Sequence, residues 1–580
     1  MKYLTITVVV LLYYKMKKNY IREKFILFSL IILILTTLHA GPEYAKNGMV
    51  VSAHRLASEA GVEIMKKGGN AIDAAVATGF ALAVVYPAAG NIGGGGFMTA
   101  VVNGEKFTLD FREKAPSNAD RDMYLDDKEN VIPGLSLYSH LASGVPGTVH
   151  GLIKAWQDYG SGHISLWEIM KPAIRMAERG FRLSNGLAKS LNYRKEFFNR
   201  GTDSQKIFNR KDRRDWTSGD ILKQRDLAGT LRRIARTKGD DFYYGKTARF
   251  IVAEMENYNG LITMEDLAGY ESIYREPVTG QFREFEILSM GPPSSGGVIL
   301  IHMLNMLEQF ELESIDWHSS EYIHLLTEVE RRAYADRAEH LGDLDFWNVP
   351  LHMLLSDDYA VERASSINLV KVSSSTDISH GDPYPYESRE TTHYSVVDEN
   401  GNSVSVTTTL NTSYGSGYVV ENAGFFLNNE MDDFSAKPGV PNVYGLVGNE
   451  ANAIEPNKRP LSSMTPTIIL KNNKPFLVIG SPGGSTIITT VMQTILNVVD
   501  HDMDIKEAVC AARFHSQWLP DVIQIEPRGL AKDVIGNLEL RGHKIVPRGG
   551  YIGESNCIMI REDGIYGGGD CRGETSAIGY

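Results

Sequence analysis

Thr391-Thr392-His393-Tyr394-Ser395 marks the point where the chain changes character. Before it, Ser373 to Glu390 is polar, carries Pro383 and Pro385 and has no periodicity, which is the composition of a surface loop or linker. After it, Tyr394 to Val397 and Val404 to Leu410 run in alternating or β-branched residues, the pattern of two strands. Asp398-Glu399-Asn400-Gly401 lies between them, and Asn400-Gly401 predicts a type I′ turn and hence a β-hairpin. A threonine that opens a strand directly behind a loop becomes an exposed N-terminus if the loop is cut. Taken alone, the same pattern also describes two β-formers that merely begin a strand.

Working outward toward the C-terminus, Thr467 to Leu470 and Phe476 to Gly480 read as strands joined by Asn472 and Asn473, and Gly483-Gly484-Ser485 precedes a helix from Thr486 to Val499. In the other direction, Pro292-Pro293-Ser294-Ser295-Gly296-Gly297 opens an apolar helix through Leu307. Glu328 to His340 continues helical with Arg331, Arg332, Asp336 and Arg337 on it. Residues 160–275 read as mainly helical scaffold, clearest at Asp226 to Thr237 and Ile251 to Tyr258, and end in a loop near Gly280. Ala57 to Lys67 has helical spacing and stops at Gly68-Gly69. Asn70 caps a second helix, an Ala-rich run to Val85 that has no polar face and is therefore expected to be buried. Gly90 to Gly96 is a loop whose backbone can approach a neighbour closely, and Phe97 to Val102 follows as a strand.

The bulk properties exclude several classes. The chain has 580 residues, 43% of them hydrophobic and 22% charged, enough for a sizeable core and unlike a disordered chain. Its formal charge of −12 is an acidic excess where a binder of phosphate backbones would be expected to show clustered Lys and Arg, which argues against nucleic acid. Cys510, Cys557 and Cys571 have no metal-binding spacing, so neither metal nor cofactor is expected; Cys557 and Cys571 either pair in an exported protein or remain thiols. Gly93 to Gly96 follows a helix and lacks a Gly-Lys-Ser/Thr continuation, which excludes a phosphate loop. At the N-terminus, a basic stretch (Lys15, Lys17, Lys18, Arg22, Lys24) precedes the apolar run Phe25 to Thr37 and then Leu38-His39-Ala40-Gly41. That order predicts a signal peptide, residues 1–40, removed after Ala40, and a periplasmic or secreted protein with no membrane association afterwards. A second apolar patch at Leu4 to Tyr14 leaves open a retained anchor, or a true start at Met16.

Three further groups of residues occur in a fixed order around Thr391. Asp110-Phe111-Arg112-Glu113 follows the glycine loop. Thr409-Leu410-Asn411 is accompanied by Asn428-Asn429-Glu430-Met431-Asp432-Asp433-Phe434. Lys458-Arg459-Pro460-Leu461-Ser462-Ser463-Met464-Thr465-Pro466 precedes Gly480-Ser481-Pro482-Gly483-Gly484-Ser485. From about Met49 to Tyr580 this set resembles the γ-glutamyltransferase (γ-glutamyltranspeptidase) family, its bacterial periplasmic members in particular. The resemblance implies an α+β fold, the four-layer αββα sandwich of N-terminal-nucleophile hydrolases. It implies self-cleavage between Glu390 and Thr391 into residues 41–390 and 391–580, which stay together as a heterodimer. It also implies γ-glutamyl transfer and hydrolysis, with glutathione, amino acids and dipeptides as small-molecule substrates and a γ-glutamyl ester on Thr391 as intermediate.

Carried over residue by residue, the resemblance makes Thr391 the nucleophile and its freed α-amine the base. Thr409 orients Thr391, and the N–H groups of Gly483 and Gly484 stabilise the oxyanion. Arg112, Ser462 and Ser463 take the donor's α-carboxylate, while Asp433, Glu430 and Asn411 take its α-ammonium. Tyr444 matches a lid-loop tyrosine. The rival on the same scaffold is a cephalosporin-type acylase, which needs no amino acid clamp and is disfavoured by Arg112 and Asp433. A non-catalytic secreted or anchored binding protein is the rival of another class.

Overall fold

The computed structural model describes residues 41–376, 378 and 391–580. The expected signal segment 1–40 and the expected cleavage residue Glu390 lie outside the described residues.

Two seven-stranded antiparallel sheets form the centre. One has the order Glu43–Ala45, Gly564–Gly569, Asn556–Arg561, Lys474–Ile479, Thr467–Lys471, Phe285–Ser289, Val278–Phe282. The other runs Ser576–Gly579, Met49–Ser52, Thr392–Val397, Ser403–Thr409, Gly95–Val102, Glu105–Asp110, Ile273–Arg275. Because side chains alternate along a strand, each sheet has two apolar faces, and successive residues join different cores. Ile468, Leu470, Val478 and Ile558 meet Val51, Val101 and Val397 between the sheets. Ile469, Leu477 and Ile479 turn the other way, against helices Gly296–Leu307, Ser320–His340 and Thr486–Val499. Val50, Val396, Val404 and Val406 pack under helices Arg55–Met65, Ala71–Val85 and Thr148–Tyr159. The result is the expected αββα sandwich. Ala71–Val85 is buried at every position, as its composition required, and a reciprocal Asn70–Asp73 capping box at 3.0 Å starts it.

Three expectations are corrected. Gly280 lies in the edge strand Val278–Phe282, not in a loop. The Thr392–Val397/Ser403–Thr409 hairpin does not turn through type I′, since only Gly401 has a positive φ (79°). Asp398 shapes it instead, its Oδ1 accepting the N–H groups of Asn400 (2.9 Å) and Asn402 (3.1 Å). The left-handed pair is Asn472 and Asn473 (φ 53° and 60°), between Thr467–Lys471 and Lys474–Ile479. Finally, Cys571 pairs with Cys510, Cα–Cα 5.3 Å, and not with Cys557. Cys557 is in a strand and fully buried under the helix layer, whereas Cys571 lies past the end of Gly564–Gly569, beside the last turn of Ile505–Cys510.

Both sheets take strands from before and after Thr391. Among the described residues no helix is long and apolar enough to cross a membrane, and no group of His, Cys, Asp or Glu has the arrangement of a metal site.

Candidate active site

Thr391 immediately precedes the strand Thr392–Val397 and is 6% exposed. The pairing of Thr392 with Thr408 puts Thr391 one step further along, level with Thr409, and both threonines line one pocket. Thr409 is fixed from below: its Oγ1 accepts the Asn411 N–H at 2.8 Å, and Asn411 adopts φ 73° with its Nδ2 donating to the Asn429 carbonyl at 2.9 Å. Tyr444 closes the pocket, its hydroxyl donating to the Asn411 carbonyl. The loop that carries Tyr444 is tied down by Asp432, which accepts the Val443 N–H at 3.0 Å and the Ser136 hydroxyl at 2.6 Å.

Gly483 (φ 140°) and Gly484 (φ 56°) lie ahead of helix Thr486–Val499. A Cβ on Gly484 would stand 2.5 Å from the Tyr444 ring, so glycine is needed for the close approach as well as for φ. Among the described residues, neither N–H has an acceptor. Two donors left open beside a hydroxyl are what a developing oxyanion requires. The earlier glycine loop approaches the chain itself: a Cβ on Gly94 would meet the Thr409 carbonyl at 2.0 Å, and one on Gly95 the Glu113 carboxylate at 2.6 Å.

The charged residues expected to take opposite ends of a ligand are in contact with one another. Arg112 is fully buried; its Nη1 donates to Glu430, its Nη2 to Asp433 Oδ2 at 2.5 Å and its Nε to the Pro460 carbonyl at 3.2 Å. Glu113 lies 3.5 Å away. Burial opposes the Arg112 charge, but Glu430, Asp433 and Glu113 outweigh it and raise its pKa. Burial pushes the Glu113 carboxyl up to about 7 and raises those of Glu430 and Asp433 as well, with Arg112 pulling the other way. Three buried carboxylates cannot remain ionised without a cation, which is the physical reason for the contact. The sequence motifs interlock here: Asp110 Oδ1 accepts the Arg112 N–H at 3.0 Å, and its carboxylate pairs with Arg275 (2.8 Å) and Arg459 (3.3 Å).

Ser462 and Ser463 line the same pocket and are buried. Ser463 Oγ accepts from Arg337 Nη2 at 3.2 Å, and Arg337 Nε donates to Ser295 Oγ at 2.9 Å. Arg337 is the site residue that sequence reasoning passed over. It is a buried guanidinium with no carboxylate within 4 Å among the described residues, and burial pulls its pKa down to about 10. The available signal was that helix Ser320–His340 places Glu328, Glu330, Arg331, Arg332, Asp336 and Arg337 all around its axis, so that some had to be buried. Among the described residues, every one expected at the site except Gly483 lines this single pocket, which has about 310 Å³ of empty space, part of it open to solvent. Gly483 lines a second cavity, which Thr391 also lines.

The model of the family described as gamma-glutamyltranspeptidase matches residues 57–580. A glutathione hydrolase proenzyme of Escherichia coli strain K12 is 48% identical over 534 residues, 92% of this chain and 91% of that protein. Among solved structures, a cephalosporin acylase from Bacillus halodurans aligns with a TM-score of 0.82 at 27% identity, over 93% of this chain and 97% of its own. A chain of Helicobacter pylori γ-glutamyltranspeptidase aligns at 0.56 and 43% identity, over 59% of this chain and 96% of its own. The acylase shares the shape at much lower identity than the glutathione hydrolase. With a family match over nearly the whole length and the αββα sandwich of N-terminal-nucleophile hydrolases, the chain belongs to the γ-glutamyltranspeptidase family.

Proposed function

We propose that this protein is an exported γ-glutamyltransferase that matures by cutting itself before Thr391, and that it transfers the γ-glutamyl group of glutathione and related donors to water or to amines. The observation that carries this reading is that one pocket holds Thr391 together with two buried arginines and the carboxylates of Glu430 and Asp433. A γ-glutamyl donor presents the matching set: a scissile carbonyl at one end, and a carboxylate and an ammonium at the other.

In maturation, Thr391 Oγ attacks the carbonyl carbon of Glu390; the C–N bond breaks as the ester forms, which frees the Thr391 amine, and water then hydrolyses the ester. In turnover, that α-amine takes the proton of the Thr391 hydroxyl, a role suited to a group with a pKa of roughly 7.7 to 8.0. Oγ adds to the donor's γ-carbonyl, and the N–H groups of Gly483 and Gly484 receive the oxyanion, each contributing about 3 to 4 kcal/mol in comparable sites. The C–N bond breaks, the leaving amine takes the proton, and water or a second amine releases the ester. At the other end of the donor, the zwitterion inserts into the Arg112–Asp433 pair. Its carboxylate goes to Arg112, Ser462 and Ser463, with Arg337 behind Ser463; its ammonium goes to Asp433, Glu430 and Asn411. One buried ion pair becomes two, and the pocket stays electrically balanced.

The order of basic, apolar and small residues up to Ala40 supports export with removal of residues 1–40. The matched H. pylori chain is about as long as the larger expected fragment, which supports a two-fragment enzyme. Intact-mass analysis tests the reading: the purified protein should give fragments of about 39 and 21 kDa, in proportion to the 64.3 kDa chain, and Thr391→Ala should remain a single chain. Maturation of the alanine variant to the same two fragments would assign the cut to another protease and remove the support for Thr391.

A further inference from the structure

The second cavity at Thr391 is wider than the clamp pocket, with about 1260 Å³ of empty space, part of it open to solvent. Among the described residues, Thr391 is the only one that lines both. The two proposed oxyanion donors divide in the same way, Gly484 on the clamp side and Gly483 on the far side. A carbonyl attacked by Thr391 has two substituents. With the γ-glutamyl arm held in the clamp pocket, the leaving amine departs, and an incoming amine arrives, through the second cavity.

The charge of that cavity decides which amines suit it. Among the described residues, its charged lining comprises Glu554, Arg572 and Glu574, together with the titratable His54. All five N–H groups of Arg572 are already engaged: Nε and Nη2 with Glu526 (2.6 and 2.7 Å), Nη1 with Asp570 (2.9 Å) and the Val509 carbonyl (2.9 Å), and Nη2 also with the Ala511 carbonyl (2.6 Å). It has nothing left for an incoming carboxylate. His54 Nδ1 accepts the Leu56 N–H at 3.2 Å, and burial lowers the pKa of the ring although Glu574 and Glu59 raise it. Glu574 is exposed. It accepts the Gly186 N–H at 2.8 Å from the first turn of helix Asn185–Tyr193, a favourable position for an anion.

We propose that this cavity is the acceptor subsite, and that Glu574 makes it prefer amines that carry a second positive charge over neutral or acidic ones. The proposal rests on the transferase reading. The acceptor's neutral amine attacks the ester carbonyl carbon, the carbon–Oγ bond breaks, and the proton lost by the amine returns to Oγ. The products are a γ-glutamyl amide and free Thr391, while the second cation stays beside Glu574.

The test measures transfer from a γ-glutamyl anilide to lysine amide, its near-isostere norleucine amide, and glutamic acid α-amide, with products separated by chromatography. Comparing amides within each enzyme cancels any change in acylation. At low ionic strength the parent should favour lysine amide over norleucine amide by about 2- to 5-fold in kcat/KM, as expected for an exposed ion pair, and salt should erase the preference. Glu574→Gln should abolish it, and Glu574→Lys should turn it toward the glutamic acid amide. Equal use of the lysine and norleucine amides by the parent would overturn the proposal, as would a preference that survives in Glu574→Gln. Donor hydrolysis without transfer to any amide would overturn the subsite alone. Absence of any γ-glutamyl product would overturn the transferase reading and the subsite with it.

Discussion

Replacing Asp433 by Asn separates recognition of the donor's amine from the chemistry at Thr391. Asp433 is 11% exposed, accepts from Arg112 at 2.5 Å and from Asn442 Nδ2 at 3.3 Å, and is nearly isosteric with Asn. In the variant Arg112 still faces Glu430 and Glu113, so its guanidinium keeps counter-charges and the fold is retained. A bound γ-glutamyl group loses one charged partner of its ammonium. Truncating one side of a buried, hydrogen-bonded charge pair costs about 2 to 5 kcal/mol. Since Glu430 remains beside the same position, the lower end applies, a loss of about 30-fold in kcat/KM.

A glutaryl anilide is the control, because it keeps the scissile amide and the distal carboxylate and lacks only the amine. In the parent, its carboxylate draws Arg112 away from Asp433 and offers that carboxylate no cation in return, so it should be a poor substrate. The asparagine relieves this penalty. The ratio of γ-glutamyl to glutaryl turnover, measured from released aniline at limiting donor, should therefore fall by at least about 30-fold in Asp433→Asn. A ratio that stays within about 2-fold of the parent's would refute the ion-pair exchange, even if both rates fell, and would favour an acylase with no amino acid clamp.

Two further outcomes follow from buried chemistry. Burial raises the Glu113 carboxyl from its ordinary 4.5 to about 7, so the native state holds a proton that the unfolded chain releases. That contribution is fully present below about 4.5 and is lost as pH rises toward about 7; the melting temperature of Glu113→Gln relative to the parent should climb across this window, and a pH-independent difference would refute it. The Cys510–Cys571 disulfide closes a 61-residue span, for which chain entropy gives a contribution of up to about 4 kcal/mol; Cys510→Ser should lower the denaturant midpoint of the oxidised protein, and an unchanged midpoint would argue against the pairing.

The layered fold came from the family resemblance, and individual elements were legible wherever one segment's pattern determined its own environment. Ala71–Val85 has no polar face and could only be buried. The break at Thr391 announced a strand, and the helix Thr486–Val499 stands where it was read, behind Gly483-Gly484-Ser485. Features that depend on distant partners were not legible. The partner of Cys571 is decided by which strand buries Cys557, the hairpin turn by the Asp398 side chain, and the strand at Gly280 by its pairing with Phe285–Ser289. The same division holds at the site. Motif order located Arg112, Glu430 and Asp433 but not their mutual contact, since opposite charges on separate segments say nothing about how they pair when no ligand is present. Arg337 looked like one more helical charge because the serine it reaches lies 126 residues further on.

The interleaving of the two sheets bears on how a cut before Thr391 can be useful without dismantling the protein. The strand Thr392–Val397 is flanked by Met49–Ser52 on one side and Ser403–Thr409 on the other, and Ser403–Thr409 is in turn paired with Gly95–Val102. Its backbone is therefore held from both edges, by one strand that precedes the cut and another that follows it. Freeing the N-terminus of Thr391 removes one peptide bond and leaves that ladder intact. The apolar layer between the sheets likewise mixes Val51 and Val101 with Val397, Ile468 and Ile558, so neither fragment can bury its own share alone. In the proposed maturation, the cut would place a new α-amine on a strand that is already paired on both sides, in a pocket that Thr409 and Gly484 also line. The positional accuracy needed for nucleophilic attack would then come from the sheet and precede the cut, while the base and the access would come from the cut itself.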